Sequence, residues 1–252
     1  MRIATWNLGN RTTRTGKFAL RPEAAKAAIQ LGADIIVFTE LFPNQHEPRF
    51  CQTLADFGWR CQHMSAPPLT ERANRVFVAS KIPVERMTLT LPSVDEQFPA
   101  NLLGFRVPSM GLSVLAVRIP WYNDKNKRKK TADLIRPAWE WLEATMTSLK
   151  SGPSMVIGDL NVKTMSPKGR GGDHFRRILS SGWHRAPGGP TFFNKEKRSE
   201  IDHILATDHC VLSGAMSITE AAGFVLAGPG GISDHAALVC RVERRDENQP
   251  QD

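Results

Sequence analysis

The stretch 154–162 is a short apolar strand that ends on two polar side chains. Residues 155–157 (Met-Val-Ile) predict a buried strand, and Gly158 lets the backbone turn or be approached closely. Asp159 and Asn161 follow, and because side chains alternate faces in extended structure, these two share a side. A carboxylate and a carboxamide so placed can hold and orient a water molecule. The stretch is therefore either an ordinary strand–loop junction, where Asp, Asn and Gly are common, or part of a catalytic site.

The same arrangement recurs at the ends of other apolar strands. Residues 1–8 and 34–40 are strand-like, and a helix predicted over 21–31 separates them, an order that indicates layered α/β packing. A sheet that places several carboxylates and a histidine at strand ends can gather them at one edge. The polar residues at these ends are Asn7, Glu40, Asp159 with Asn161, Asp202 with His203, and Asp234 with His235.

Hydrophobic periodicity and helix breakers predict the remaining elements. The strands between 75 and 119 follow one another at short, mostly helix-free spacing, which favours antiparallel pairing. The predicted helices cover 21–31, 46–57, 131–149 and 173–180, and the predicted strands cover 1–8, 34–40, 59–64, 75–80, 84–91, 102–107, 112–119, 154–158, 191–193, 199–205 and 236–242.

The chain of 252 residues has no linker-like or repeated segment, so we expect one domain over 1–243 and a disordered charged tail over 244–252. No apolar run approaches the roughly 20 residues of a membrane-spanning helix. Strand-like sequence begins at Arg2, so no signal peptide is expected. The four cysteines form no CxxC pair and suit free thiols in a reducing compartment. We therefore expect a cytoplasmic monomer without membrane association.

The net charge of +8 favours an anionic partner, first nucleic acid and second a phosphate-rich surface. Three basic segments, 125–130, 168–170 and 195–198, flank strands that bear the polar ends, with aromatic residues between them. Each could be an ordinary solvated loop, but basic groups for phosphate and aromatic faces for bases are what a nucleic-acid groove requires. The candidate substrate-binding residues are Trp121, Tyr122, Lys125, Lys127, Arg128, Lys129, Lys130, Arg170, Lys197, Arg198 and His203. His203 either lines the site or points to the other side of its strand from Asp202.

The chemistry of the strand-end residues favours a hard cation. Oxygen ligands without clustered Cys or paired His indicate Mg²⁺ or Mn²⁺ in preference to Zn²⁺. Such a metal neutralises phosphate charge while a base activates water, and a cation or imidazole stabilises the leaving side. The residues therefore suit hydrolysis of a phosphodiester.

The chain carries five short motifs, Thr5-Trp6-Asn7, Phe38-Thr39-Glu40, Gly158-Asp159-Leu160-Asn161, Ile201-Asp202-His203 and Ser233-Asp234-His235. These motifs resemble those of the endonuclease/exonuclease/phosphatase superfamily, which includes enzymes like deoxyribonuclease I and exonuclease III. They occur in the family's order from residue 2 to about 242, so the resemblance covers nearly the whole chain. It implies a four-layer α/β sandwich, with two mixed β-sheets packed face to face and helices on the outer faces, and a metal-dependent phosphoester hydrolase.

The resemblance also implies a role for each motif residue. Carried over motif by motif, Glu40 binds the metal with Asn7 beside it, and Asp234 serves the metal region. Asp159 activates or positions the attacking water, Asn161 orients the water and the phosphate, His235 binds the scissile phosphate, and Asp202 fixes the ring of His235.

Two positions depart from the family's pattern. Nucleases of the family often carry His or Tyr where this chain has Arg118, in the segment Ala116-Val117-Arg118-Ile119-Pro120. Arg can bind phosphate but is a poor proton donor, so Tyr122, another group or a metal-bound water must protonate the leaving group if that step is needed. Gly9 stands where endonucleases for abasic sites tend to have Asp, which disfavours abasic DNA as the substrate.

We therefore expect a nuclease that cleaves DNA or RNA with Mg²⁺ or Mn²⁺, in which Asp159, Asn161, His235, Asp202 and Arg118 are the catalytic residues. One alternative is a phosphatase or phosphodiesterase for a lipid or a small phosphate ester, which the motifs permit equally. The other is a nucleic-acid-binding relative without catalysis, which the intact set of acidic residues disfavours.

Overall fold

Two six-stranded β-sheets form the centre of the computed structural model. The structure describes residues 1–9, 20–42, 44–67, 74–90, 98–120, 131–163, 165–166, 170–194 and 197–245.

The first sheet has the strand order β13-β16-β1-β2-β4-β3. β1 and β2 are parallel and the other neighbours are antiparallel, so the sheet is mixed. Its strands are β1 (Arg2–Asn7), β2 (Ile35–Leu41), β3 (Cys61–Met64), β4 (Arg75–Ser80), β13 (Cys210–Ile218) and β16 (Ala237–Arg244).

The second sheet has the strand order β5-β6-β7-β8-β12-β9. Here β7 and β8 are the parallel pair, and the other neighbours are antiparallel. Its strands are β5 (Glu85–Arg86), β6 (Leu102–Val107), β7 (Leu112–Arg118), β8 (Ser154–Asp159), β9 (Trp183–Arg185) and β12 (Asp202–Thr207). Two hairpins stand outside the large sheets, β10 (Phe192–Asn194) with β11 (Lys197–Ser199) and β14 (Glu220–Ala221) with β15 (Phe224–Val225).

The described residues contain four α-helices, α1 (Glu23–Ile29), α2 (Glu47–Asp56), α3 (Thr131–Leu149) and α4 (Gly172–Ser180). In α1 the four alanines are buried, and Gly32 beyond its end has a φ of 62°, a left-handed conformation that Gly adopts without steric cost. None of the helices in the described residues is long and apolar enough to cross a membrane.

Three apolar clusters show that the layers stack as helix, sheet, sheet and helix. The central cluster joins both sheets, for example through Ile3 and Val37 of the first and Ile157 and Ile204 of the second. A second cluster packs α1 and α2 on the outer face of the first sheet. A third packs α3 and α4 on the outer face of the second sheet. The predicted α/β sandwich of two mixed sheets with outer helices is confirmed.

Several boundaries differ from the sequence prediction. The strand predicted over 84–91 is reduced to the two residues of β5, and β13 was not predicted. The last strand continues through Arg244, which pairs with Cys210, so the chain does not become a tail at 244 as expected. The rest of the predicted tail, 246–252, lies outside the described residues.

Candidate active site

Apart from His203, the polar residues predicted at strand ends meet at one end of the β-sandwich. In the first sheet the parallel pair β1–β2 brings Asn7 beside Thr39. In the second sheet Arg118 of β7 lies beside Asp159 of β8, and Asp202, at the start of antiparallel β12, lies on the other side of Asp159. Three hydrogen-bonded side-chain pairs join the two sheets here: Asn7 with Asp159, Glu40 with Arg118, and His235 with Asp202.

Asp159 is held from both sheets. Asn7 Nδ2 donates to Asp159 Oδ2 at 2.9 Å, and Asn161 donates from its backbone N to Oδ1 at 2.9 Å and from Nδ2 to Oδ2 at 3.0 Å. Asn161 has a φ of 50°, a conformation that Asn adopts more readily than most residues. Gly158 is required before this turn, because a Cβ at that position would lie 2.0 Å from the carbonyl oxygen of Val117. The carboxylate is therefore fixed in orientation.

The surroundings of Asp159 favour proton uptake near neutral pH. Its side chain is buried, with 1% of the residue exposed. Burial and the charge of Asp202 raise the pKa of Asp159 to about 7, against the opposing effect of His235 and Arg118. A carboxylate whose pKa lies near the working pH is suited to general-base catalysis.

His235 forms a buried ion pair with Asp202. Its Nδ1 lies 2.7 Å from Asp202 Oδ2, and the backbone carbonyl of His235 accepts a hydrogen bond from Trp6 Nε1 at 2.9 Å. Burial lowers the pKa of His235, but the Asp202 carboxylate outweighs it and raises that pKa to about 9. The ring is then an imidazolium at neutral pH, with Nδ1 donating to Asp202 and Nε2 lying 3.9 Å from Asp234 Oδ1. A cation held in this way is suited to binding a phosphate oxygen.

Arg118 pairs with Glu40 across the two sheets. Its Nε and one terminal nitrogen both donate to Glu40 Oε1, at 2.9 and 2.6 Å, and the other terminal nitrogen donates to Asn101 Oδ1 at 3.2 Å. Glu40 has a φ of 52°, in the left-handed region that costs energy for a residue with a side chain. Sequence reasoning missed Asn101, although a polar residue directly before the apolar strand 102–107 matches the pattern of the other motifs.

Ser233 ties the segment that carries Asp234 and His235 to the end of β1. Its hydroxyl donates to the backbone carbonyl of Asn7 at 2.7 Å and accepts from His235 N at 3.0 Å. A Cβ at Gly9 would lie 2.8 Å from Asp234 Oδ1, so that carboxylate abuts the turn after Asn7. Ser233 is a second residue that was not singled out from the sequence, and its place in the last motif was the available signal.

The donors at this end fit a hard divalent cation. Glu40, Asp234 and the Asn7 carboxamide all offer oxygen, the ligand that Mg²⁺ and Mn²⁺ prefer. Among the described residues no three His, Cys, Asp or Glu side chains are arranged to hold a metal ion. Mg²⁺ needs no such cage, because it keeps several waters and binds through one or two carboxylates. Within the described part of the chain the buried Asp202 Oδ1 has no hydrogen-bond partner and could accept one from such a water.

His203 does not join the site. It follows Asp202 in β12, so its side chain points to the opposite face of the sheet. There its Nε2 lies 2.8 Å from the carbonyl oxygen of Val162, and its ring lies 4.7 Å from the Phe175 ring of α4. His203 therefore packs in the outer layer and does not make the predicted contact with substrate.

The β10–β11 hairpin forms one wall of the site. Phe192 bridges to His235, with ring centroids 5.1 Å apart, and Phe193 N donates to the carbonyl of Asp234 at 2.8 Å. Lys197 and Arg198 are exposed on this hairpin, and the Arg198 guanidinium lies 5.8 Å from the Phe193 ring centroid.

The other predicted substrate contacts are one exposed arginine and seven residues outside the described part of the chain. Arg170 is exposed just before α4. The predicted contacts Trp121, Tyr122, Lys125, Lys127, Arg128, Lys129 and Lys130 lie outside the described residues.

Residues 4–235 match the model of the endonuclease/exonuclease/phosphatase family. No curated protein sequence matches the chain.

Solved structures with the same fold cover nearly the whole chain. An AP endonuclease from Archaeoglobus fulgidus superimposes with a TM-score of 0.71 at 16% identity, over 96% of this chain and 98% of that one. A 3′ phosphatase from Neisseria bound to a product DNA hairpin gives a TM-score of 0.67 at 20% identity, over 96% and 99% of the two chains. The β toxin of Staphylococcus aureus gives 0.64 at 14% identity, over 95% and 99%. At these identities the likeness concerns the fold.

Proposed function

The chain belongs to the endonuclease/exonuclease/phosphatase family, and we propose that it is a divalent-metal-dependent nuclease that cleaves DNA or RNA. Members of this family are phosphoester hydrolases, and they generally depend on divalent metal ions. The choice of a nucleic-acid substrate, of Mg²⁺ or Mn²⁺, and of a role for each residue is our proposal.

The observation that carries the proposal is the set of three polar pairs that join the two sheets at one end. They assemble one carboxylate with a pKa near 7, one buried imidazolium and one guanidinium beside a carboxylate. Hydrolysis of a phosphodiester needs a base for water, positive charge on the phosphate and a site for a metal. These three needs are met by Asp159, by His235 with Arg118, and by Glu40 with Asn7 and Asp234.

Asp159 is proposed to take the proton of the attacking water. Its carboxylate already accepts three hydrogen bonds, two of them from Asn161, so its position does not depend on substrate. Asn161 also donates from Nδ2 to the carbonyl of Ile119 at 2.9 Å, which anchors that side chain to the end of β7. A base that is fixed before substrate binds needs little reorganisation in the transition state.

His235 is proposed to bind the scissile phosphate through Nε2. Asp202 fixes the ring by accepting from Nδ1 and keeps the ring positively charged. Charge-assisted hydrogen bonds to phosphate are roughly twice as strong as neutral ones. A divalent cation bound by Glu40, Asn7 and Asp234 would add further positive charge on the phosphate oxygens.

Nucleic acid is the proposed substrate because of the net charge of the chain and the residues that the β10–β11 hairpin carries. The net charge of +8 favours a polyanion. The β10–β11 hairpin places the Phe192 ring 5.1 Å from the His235 ring and also carries the exposed Lys197 and Arg198, so cationic and aromatic residues lie on the hairpin that contacts His235. The Neisseria relative was solved with a DNA hairpin, which supports testing DNA first.

Nicking of supercoiled plasmid tests the proposal. Purified protein is incubated with plasmid in Mg²⁺, in Mn²⁺ and with EDTA, and Asp159→Asn serves as the control for a contaminating nuclease. We expect nicking that requires metal and that falls roughly 10²–10⁴-fold in the variant. If neither metal supports nicking, the same samples are tested on RNA, and failure on both substrates contradicts the assignment as a nuclease.

A further inference from the structure

Arg118 forms an ion pair with Glu40, a carboxylate that the proposed function assigns to the metal. We propose that Arg118 is the resident counter-cation of Glu40 and that it sets the metal affinity of the site by competing for this carboxylate. The inference rests on the proposed function, because it concerns Glu40 as a ligand of the divalent cation.

The contact between the two side chains is close and largely shielded from water. The guanidinium donates twice to the same oxygen, Glu40 Oε1, and the exposed fractions of the two side chains are 14% for Arg118 and 8% for Glu40. Shielding from water strengthens the attraction between opposite charges. The pair therefore stabilises the ionised carboxylate when no metal is bound.

The fold holds Arg118 in this position. The residue ends β7, and its neighbour in register is Asp159 on β8. Asn101, which is buried before β6, accepts from the other terminal nitrogen and so fixes the plane of the guanidinium. The arginine is thus anchored from the second sheet while it reaches a carboxylate of the first.

A divalent cation and a guanidinium on one carboxylate repel each other. A metal ion that binds Glu40 must therefore either displace Arg118 from Oε1 or remain close to the positive guanidinium. Both alternatives lower the affinity of the site for the metal. Removal of the arginine charge leaves the buried Glu40 carboxylate without this neighbouring positive charge, and that carboxylate attracts a cation more strongly. A variant of this protein with a neutral residue at position 118 should accordingly bind a divalent cation with higher affinity.

Direct binding of Mn²⁺, followed by the electron paramagnetic resonance signal of the free ion, measures this effect without reference to activity. Wild-type protein is compared with Arg118→Met, which lacks the charge, and with Arg118→Gln, which keeps a donor for Glu40 but no charge. We expect both variants to bind Mn²⁺ at least about fivefold more tightly than wild type, the lower end of typical coupling between sites. Thermal melting without and with Mn²⁺ identifies which variants are folded.

Arg185→Met is the matched control. Arg185, on β9 of the sheet that carries Arg118, forms a half-buried ion pair with Glu200 but contacts none of the proposed metal ligands in the described structure. Its loss removes the same charge, and we expect Mn²⁺ affinity within about twofold of wild type, since a charge effect between separated groups is screened.

The outcomes separate the inference from the function on which it rests. Equal or weaker Mn²⁺ binding in both Arg118 variants, with wild type binding, overturns the inference alone. A gain in Arg185→Met as large as in Arg118→Met also overturns it, because the effect would then be one of net charge. Absence of Mn²⁺ binding in wild type and in all variants overturns the metal-dependent function together with the inference.

Discussion

The side-chain amide of Asn7 donates to Asp159 Oδ2 at 2.9 Å, and this bond runs from the end of one sheet to the end of the other. The two residues are 152 positions apart in the chain, and both are buried. Asn7 Oδ1 in turn accepts from the backbone of Gly9 at 2.8 Å, which sets the direction of the amide. The orientation of the proposed base therefore depends on the packing of the two sheets.

Asn7→Ala should lower kcat/KM by about 10- to 100-fold, the usual effect of losing a residue that orients a catalytic group or metal ligand. It should also lower the free energy of unfolding by about 1–3 kcal/mol, because a buried carboxylate loses one donor. Nuclease kinetics and urea denaturation measure the two effects. Gln52→Ala removes an exposed carboxamide–carboxylate bond to Asp56 on α2 and should change neither. Unchanged kinetics in Asn7→Ala would remove this bond from the mechanism.

The rate of cleavage should depend on pH with two limbs. Asp159 acts only when deprotonated, and its pKa of about 7 makes kcat/KM rise with pH up to that region. His235 binds phosphate only when protonated, and its pKa of about 9 makes kcat/KM fall above that region. A bound divalent cation moves the rising limb to lower pH, because nearby positive charge favours the carboxylate.

A pH profile at saturating Mg²⁺ between pH 5 and pH 10 measures both limbs. The residual activity of Asp159→Asn should lack the rising limb and keep the falling one. If wild type and variant share the same rising limb, another group is the base.

The strand-end residues could be predicted because their information is local. An apolar run, a Gly and a polar pair lie within nine residues at 154–162, and the fold only has to bring several such ends together. The ion pair of Arg118 with Glu40 could not be predicted in this way. The two residues are 78 positions apart in the chain, and their contact depends on how the two sheets pack against each other. Arg118 was expected at the site, but its contact with a proposed metal ligand is known only from the structure.

Two errors have different causes. His203 was named as a candidate substrate contact with its orientation left open, whereas neighbouring residues of a strand face opposite ways, so the inward position of Asp202 favours the outward position of His203. β13 was missed because it is an irregular strand at the sheet edge. Its register shifts between Ser213 and Met216, and Gly214 within it has a φ of 58°. The alternation of apolar and polar residues that predicts a strand is broken there.

His203 gives a stability prediction that is independent of activity. Burial lowers the pKa of His203, so the folded protein keeps the ring neutral while the unfolded chain protonates it near pH 6.5. Stability from this group is therefore present above about pH 6.5 and is lost as pH falls. His203→Gln should be less stable than wild type at pH 7, because it packs less well on Phe175, but the difference should narrow toward pH 5.

Urea denaturation of wild type and His203→Gln at pH 5, 6 and 7 tests this pH dependence. His209→Gln, at an exposed position in the turn before β13, is the control and should follow wild type at every pH. A constant difference between His203→Gln and wild type across this range would contradict the assignment of a buried neutral ring.

The basic residues of the β10–β11 hairpin should contribute to nucleic-acid affinity through phosphate contacts. Each contact releases a counterion, so the logarithm of affinity falls with the logarithm of salt concentration by about one per contact. Replacing Lys197 and Arg198 by Ser should weaken binding and flatten this slope by up to about 2. Arg21→Ser with Lys26→Ser removes two exposed charges at and beside α1, on the outer face of the first sheet, and should leave the slope unchanged. Binding to a labelled DNA duplex between about 50 and 200 mM salt measures both slopes, and equal slopes in the hairpin variant and wild type would mean that the hairpin does not contact phosphate.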